Sequence, residues 1–248
     1  MRLPNRSPSS DPLRGLRVAV TGGTSGLGLA LVEELTRHGA RVAFVARGRP
    51  GVERVARKHR AHGIAGDVSV KEDIHPIALQ ILGALGGLDV LINNASHLGA
   101  VPLALLGDTE CEALEAALAT NLLGPFRLTR VLLGALTASA REGRGAVVVN
   151  VSSDAGINAY PRWGAYGASK AALHHLTRTW EAELAREGVR FLSVDPGDMD
   201  TPLHALADPD ADPSSLKRPE TAARELSEAI RGALPRRPAA PVPERSAG

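Results

Sequence analysis

The chain has 248 residues, of which 44% are hydrophobic, 3% aromatic and 23% charged, and its formal net charge is +2. That balance gives little electrostatic reason to bind nucleic acid, no apolar run is long enough to span a membrane, and the apolar content suffices for one sizeable core. The single cysteine, Cys111, excludes an intramolecular disulfide and fits a reducing cytoplasm, while the eight histidines, His174-His175 included, offer no metal-ligand spacing.

Residues 1–15 carry Arg, Pro and Ser without an apolar stretch. They do not read as a secretory signal and are expected to form a disordered leader before a domain spanning 16–234. Residues 17–21 (Arg-Val-Ala-Val-Thr) read as a short buried strand. It runs into Thr21-Gly22-Gly23-Thr24-Ser25-Gly26-Leu27-Gly28 and then a helical pattern over 29–38, closed by Gly39. Strand, glycine-rich turn and helix start form the phosphate-binding unit of a dinucleotide fold, where backbone N–H groups and the helix N-terminus face a pyrophosphate. The spacing T-G-x-x-x-G-x-G differs from G-x-G-x-x-G, so a loop needed only for a tight turn is the alternative.

A second strand is expected at 41–45. Its end decides the cofactor: an acidic residue there would bind ribose hydroxyls and select NAD(H). Ala46 holds that place, followed by Arg47 and, two later, Arg49. A guanidinium pairs bidentately with a 2′-phosphate that a carboxylate would repel, so NADP(H) is favoured; otherwise Arg47 is a solvated surface charge. Further strands are read at 62–65, 88–92, 146–151 and 189–194, with helices at about 72–85, 109–140, 165–187 and 220–234. The continuous Val/Ile/Leu runs are those of parallel strands covered on both faces. Such alternation implies an α/β fold, a Rossmann-type doubly wound parallel sheet with helices on both faces and right-handed crossovers. Gly22, Asn93, Ser153 and Pro196 all follow strand ends, which places them on the ligand-binding rim. Residues 199–217 are expected to form a mobile lid, and the Pro-rich residues 235–248 a disordered tail.

Chemistry is carried by Ser153, Tyr166 and Lys170. Tyr at i and Lys at i+4 share one helix face. A phenol titrates near pH 10, and a neighbouring ammonium favours the phenolate and pulls that value down. Ser153 adds a hydroxyl for a carbonyl oxygen, with Ser152 a rival for that role. Tyr160, Trp163 and Tyr166 crowd into one short stretch and could line an apolar pocket, with Asp154 and His97 as polar contacts. Cys111 opens a helix in a polar run and is read as structural.

Together these residues resemble the short-chain dehydrogenase/reductase family, in its single-domain branch, from about Leu16 to Thr201. In that resemblance Thr21 to Gly28 match the cofactor loop, so Gly22, Thr24, Ser25, Gly26, Leu27 and Gly28 are expected to bind cofactor. Asp67, with Val68 beside it, matches the residue that meets the adenine ring. Asn94 and Ala95 match the stretch after the fourth strand. Asn121 matches the Asn that bends the fourth helix and anchors a water in the proton relay. Pro196, Gly197, Met199 and Thr201 match the segment flanking the nicotinamide.

The resemblance implies strand order 3-2-1-4-5-6 and a cytoplasmic, NADP(H)-dependent oxidoreductase. It would interconvert a carbonyl and a secondary alcohol by hydride transfer, with Tyr166 as acid/base and Lys170 binding the nicotinamide ribose. The Arg-, Ala- and Pro-rich composition associates it with ketoreductases of specialised metabolism. A redox-inert NADP(H) sensor, or an isomerase or dehydratase using bound cofactor transiently, are the alternatives. Two features depart from the family: Ser96 stands where it usually has Gly after Asn-Asn-Ala, and no apolar strand follows Leu234. The second departure points to a homodimer through the long helices rather than a tetramer.

Overall fold

The computed structural model describes residues 11–235. Six strands, β1 (Arg17–Thr21), β2 (Arg41–Ala46), β3 (His62–Ala65), β4 (Val90–Asn93), β5 (Ala146–Val151) and β6 (Val189–Val194), form one sheet in the order β3-β2-β1-β4-β5-β6. All neighbours run parallel, and Val18 of β1 pairs with both Val42 and Val90. The order reverses between β1 and β4, where such sheets open a crevice for ligands.

Strand periodicity of two divides the core into layers. Val18, Val20, Ile92, Val147 and Val149 face a cluster with Leu31 and Leu35 of α1 (Gly26–Arg37), Val52 and Val55 of α2 (Arg49–His59), and Leu226 and Ile230 of α8 (Pro219–Ala233). Ala19, Leu91 and Val148 face the other way, onto Ile77 and Ile81 of α3 (Ile74–Leu85) and Leu128, Leu132 and Leu136 of α5 (Gly124–Arg141). Each fully buried Leu or Ile contributes roughly 2 kcal/mol by its removal from water. The remaining helices are α4 (Cys111–Leu118), α6 (Gly164–Leu184) and α7 (Pro202–Ala207).

Several expectations are corrected. The disordered leader does not extend through residues 11–15: Leu13 is fully buried, and Asp11 accepts the Leu13 N–H (3.0 Å) and pairs with His38 (2.6 Å) and Arg231 (3.1 Å). Residues 1–10 and 236–248, the rest of the expected leader and nearly all of the tail, lie outside the described residues. The helix α2 had no counterpart in the sequence reading, because only Val52 and Val55 of its basic sequence are buried. The single helix expected over 109–140 is two, joined by a π-helical turn at Ala119–Leu123. Cys111 is exposed on the first turn of α4, so no packing role holds it.

The fourth strand begins at Val90 rather than Leu88, although the Asp89 backbone still bonds its neighbours, donating to Arg17 O (2.9 Å) and accepting Val147 N–H (2.9 Å); the Asp89 side chain serves as a clamp. Its fully buried carboxylate accepts from the Arg17 backbone N–H (2.8 Å), Arg17 Nη2 (2.6 Å), Arg144 Nη2 (2.9 Å) and Ser139 Oγ (2.7 Å). Burial opposes its ionisation, yet the hydrogen bonds from Arg144, Arg17 and Ser139 hold the carboxyl well below the usual carboxylate range. This clamp ties β1, β4 and the end of α5 together at the amino ends of the strands.

Candidate active site

At the opposite rim, β1 ends in Thr21 and the chain turns through Gly22, at φ +73°, where a left-handed backbone favours glycine. A Cβ on Gly28 would collide with the Gly22 carbonyl and come within 2.6 Å of Asn94 Nδ2. Gly28 therefore lets α1 start directly behind the loop, with its N-terminus toward the crevice. Thr21 Oγ1 accepts the N–H groups of Asn94 and Ala95 (both 3.0 Å), and Asn94 Nδ2 donates to Thr21 O (2.8 Å). The loops after β1 and β4 are thereby one rigid unit. Asn94 reaches the cavity, but its amide is spent on bracing.

Beyond β5, Ser152 and Ser153 both line the cavity; Ser152 is buried, with its backbone N–H donating to Val194 O (2.8 Å), and Ser153 is half-buried. Ser153 Oγ accepts from Ala155 N–H (3.2 Å) and donates to Asp154 Oδ1 (3.2 Å), whose other oxygen accepts from Tyr160 (2.7 Å). Tyr166 and Lys170 stand one turn apart near the start of α6. Trp163 packs edge-on against Tyr166 at 5.6 Å. Lys170 is 2% exposed; its Nζ donates to Val151 O (2.7 Å) and sits 5.5 Å from the Tyr166 ring centre.

The titration of this pair departs from expectation. Burial pushes the Tyr166 phenol above its ordinary value, opposed by the nearby hydroxyls of Ser153 and Ser96, which pull it down. Burial likewise lowers Lys170 to about 8, opposed by Asp195. The predicted acidification of Tyr166 by Lys170 is thus outweighed in the protein alone, since desolvation penalises both charged forms.

Asn121 lies in the π-helical turn, so the expected bend is present. Its side chain is fully buried: Nδ2 donates to His97 O and Ser169 Oγ (both 2.8 Å), and Oδ1 accepts His97 N–H (2.8 Å) and Ser96 Oγ (3.3 Å). It fixes the loop after β4, and Thr120 rather than Asn121 reaches the cavity wall.

One cavity of about 500 Å³ gathers the other anticipated site residues, from Gly22, Thr24, Ser25, Gly26, Leu27 and Gly28 through Arg47, Asp67, Val68, Asn94 and Ala95 to Ser153, Tyr166, Lys170, Pro196, Gly197, Met199 and Thr201; Tyr160, expected to line it beside Trp163, is exposed and lies outside it. Arg47 is exposed at its mouth. Asp67 is partly occupied, accepting from Ser69 N–H (2.9 Å) and Ser69 Oγ (2.7 Å). The far end adds Leu98 and, from α7 within the segment expected to form a lid, Leu203, His204, Leu206 and Ala207, none of them named individually as an expected site residue. Their signal was Thr201-Pro202: Thr201 Oγ1 caps α7 by accepting His204 N–H (3.2 Å), with Pro at the first helical position. The base of this excursion is pinched where Lys217 N–H donates to Asp198 O (2.9 Å) and Asp200 N–H to Lys217 O (3.0 Å). Among the described residues no His/Cys/Asp/Glu group could hold a metal, and no helix is long and apolar enough to cross a membrane.

A family model described as short chain dehydrogenase matches residues 17–212. The chain belongs to the short-chain dehydrogenase family. Among similar members of this family is an uncharacterised oxidoreductase of Mycobacterium tuberculosis, 35% identical over 202 residues, which cover 78% of this chain and 58% of the relative. The chain thus spans less than two thirds of that protein's length. The short-chain dehydrogenase fold is also that of a 3-ketoacyl-(acyl-carrier-protein) reductase of Brucella melitensis complexed with NADH (TM-score 0.81, 27% identity, 90% of this chain and 92% of that one). A variant of actinorhodin polyketide ketoreductase with NADPH is equally similar (TM-score 0.80, 27% identity, 88% and 92%).

Proposed function

We propose that this short-chain dehydrogenase is an NADP(H)-dependent oxidoreductase that interconverts a ketone and a secondary alcohol. The observation that carries the reading is the burial of Tyr166 and Lys170, with Ser153, in the same cavity that opens at Arg47. The donor set suits a phosphorylated dinucleotide: the Gly22–Gly28 contact leaves backbone bare at the N-terminus of α1, and Ala46-Arg47 replaces an acid with a guanidinium. Solved relatives carry either NADH or NADPH, so the preference for NADP(H) rests on Ala46 and Arg47.

When bound, the nicotinamide supplies or accepts the hydride. The chain's own residues do the rest. In the reductive direction Ser153 turns its hydroxyl to the carbonyl oxygen and steadies its growing charge. Tyr166 gives its phenolic proton to that oxygen as general acid. Lys170 binds the nicotinamide ribose and favours the phenolate left behind, while Asn121 keeps the loop after β4 in place. Leu98, Trp163, Leu203 and Leu206 exclude water and fit a ketone with an apolar or ring-shaped body, in keeping with a ketoreductase of specialised metabolism. The assembly proposed is a cytoplasmic two-fold dimer through α5 and α6. Among the small residues near the start of α6, Ala168 and Ala171 are exposed, Ala172 is half-buried, and Ala165 is buried within its own chain.

A panel of ketones incubated with NADPH, followed through the absorbance of the reduced nicotinamide, tests the reading. Steady consumption with one or more ketones is expected. Binding of NADPH without consumption would turn the assignment to a sensor, and substrate change without net consumption to an isomerase or dehydratase.

A further inference from the structure

Ser153 stands in the cavity wall with its hydrogen-bonding capacity nearly spent. A serine hydroxyl has one proton and two lone pairs. The proton goes to Asp154 Oδ1 (3.2 Å), and one lone pair accepts Ala155 N–H (3.2 Å). A single lone pair is left, so Ser153 at rest meets a ligand as an acceptor. Asp154, in the same wall, is held from its other side, where Tyr160 Oη donates to Oδ2 (2.7 Å). Among the described residues these two hydroxyls are the only hydrogen-bond donors to that carboxylate.

A hydrogen bond to an ionised acceptor is roughly twice as strong as one to a neutral oxygen. The carbonyl of a ketone therefore competes poorly with Asp154 for the Ser153 proton. An alcohol needs no such exchange, because its own O–H fills the remaining lone pair. Resting on the reading of Ser153 as the hydroxyl that meets the substrate oxygen, we propose that Asp154 is a positioning residue: it holds Ser153 as an acceptor, and the site binds the secondary alcohol more tightly than the ketone. Ser153 turns its proton to the substrate only as charge grows on that oxygen, because the developing oxyanion is then an acceptor of comparable strength. The hydroxyl is thus withheld from the bound ketone and delivered during the reaction. Tyr160 tempers this hold, since its phenol takes up part of the carboxylate's charge.

Tyr166→Phe with NADPH bound should hold either ligand without appreciable turnover, and the fluorescence of the reduced nicotinamide then reports binding. The probes are a ketone consumed in the NADPH panel and the secondary alcohol it yields. In this background the alcohol should bind about tenfold tighter than the ketone, the difference between a charge-assisted and a neutral hydrogen bond. Adding Asp154→Ala should bring the two within about twofold of each other. Asp154→Asn, which keeps a neutral acceptor, should fall between. Adding Tyr160→Phe should widen the ratio, because the carboxylate's charge then falls on Ser153 alone. Both side chains are exposed, so neither change opens a cavity in the core. A general disturbance of this loop would move the ratio the same way in both variants. An Asp154→Ala ratio equal to that of its background, or a fall in both Asp154→Ala and Tyr160→Phe, overturns the proposal. A panel in which no ketone is consumed overturns the reductase reading and this proposal together, whereas consumption with an unmoved ratio overturns this proposal alone.

Discussion

Asp89 and Lys170 are both buried charges, one at the amino ends of the strands and one at the carboxyl ends, and the chain treats them differently. The carboxylate of Asp89 is filled by two arginines, a serine hydroxyl and a backbone N–H. Lys170 has three donors and, among the described residues, one hydrogen bond, to Val151 O. A charge saturated by its own chain is structural: its ionised form is favoured and nothing further can bind it. A charge buried with donors to spare is held at a cost, which a ligand can relieve. The difference separates the rim that holds the sheet together from the rim built to receive something.

The contrast can be broken at either end. Tyr166→Phe should remove about 10²–10⁴-fold of turnover while NADPH affinity, read by fluorescence titration, stays within about threefold, because only a proton is lost; turnover within tenfold of the parent would sink the acid/base role. Asp89→Ala should leave kcat nearly unchanged but cost about 3–5 kcal/mol in urea unfolding, since it strands two arginines and Ser139. The pH dependence follows in sign. Asp89 has a depressed folded-state pKa, so its contribution is complete above the unfolded value near 3.9 and is lost as pH falls through the folded one. Unfolding curves of Asp89→Asn should accordingly show a shallower loss of stability below about pH 4 than the parent.

Lys170→Met should move the other way, stabilising the fold at pH 7 by about 2–3 kcal/mol while ending catalysis. Here the folded pKa of about 8 lies below the unfolded value of 10.5, so the cost is full below pH 8 and fades as pH rises toward 10.5. A destabilised variant by thermal unfolding would mean that the lone bond to Val151 outweighs desolvation. The smallest effect concerns the cavity mouth. Ala46→Asp with Arg47→Ser should shift the ratio of kcat/KM values toward NADH by roughly tenfold or more, through one lost ion pair and one added repulsion; a parent with no preference for NADPH would refute the reading of this loop.

The strands were legible because Val, Ile and Leu runs such as Ala146–Val151 have one physical meaning in a chain of this kind, burial on both faces. The site was legible where a residue's type and spacing dictate its place, as with Gly28 or the Tyr166–Lys170 turn. What escaped was set by contacts distant in sequence. Asp89 sits inside a strand-like run, and its role as a clamp is set by Arg17 and Arg144, 72 and 55 residues away in sequence. The helix Arg49–His59 hides behind two valines. Ser96 was visible as an unusual residue, but its partner Asn121 lies on another element.

The pinch at Asp198 and Lys217 carries a lesson about change over time. Everything between those residues, α7 included, leaves the sheet and returns to nearly the same point, contributing Leu203, His204, Leu206 and Ala207 to the substrate end of the cavity. No buried strand or clamp residue lies within it. Beyond Thr201, which packs near Gly26 of the phosphate loop, its length and side chains can therefore drift without disturbing the proton donor or the dinucleotide end. The substrate range of this protein is in effect an exchangeable cartridge, fastened to a frame that need not alter when the cartridge does.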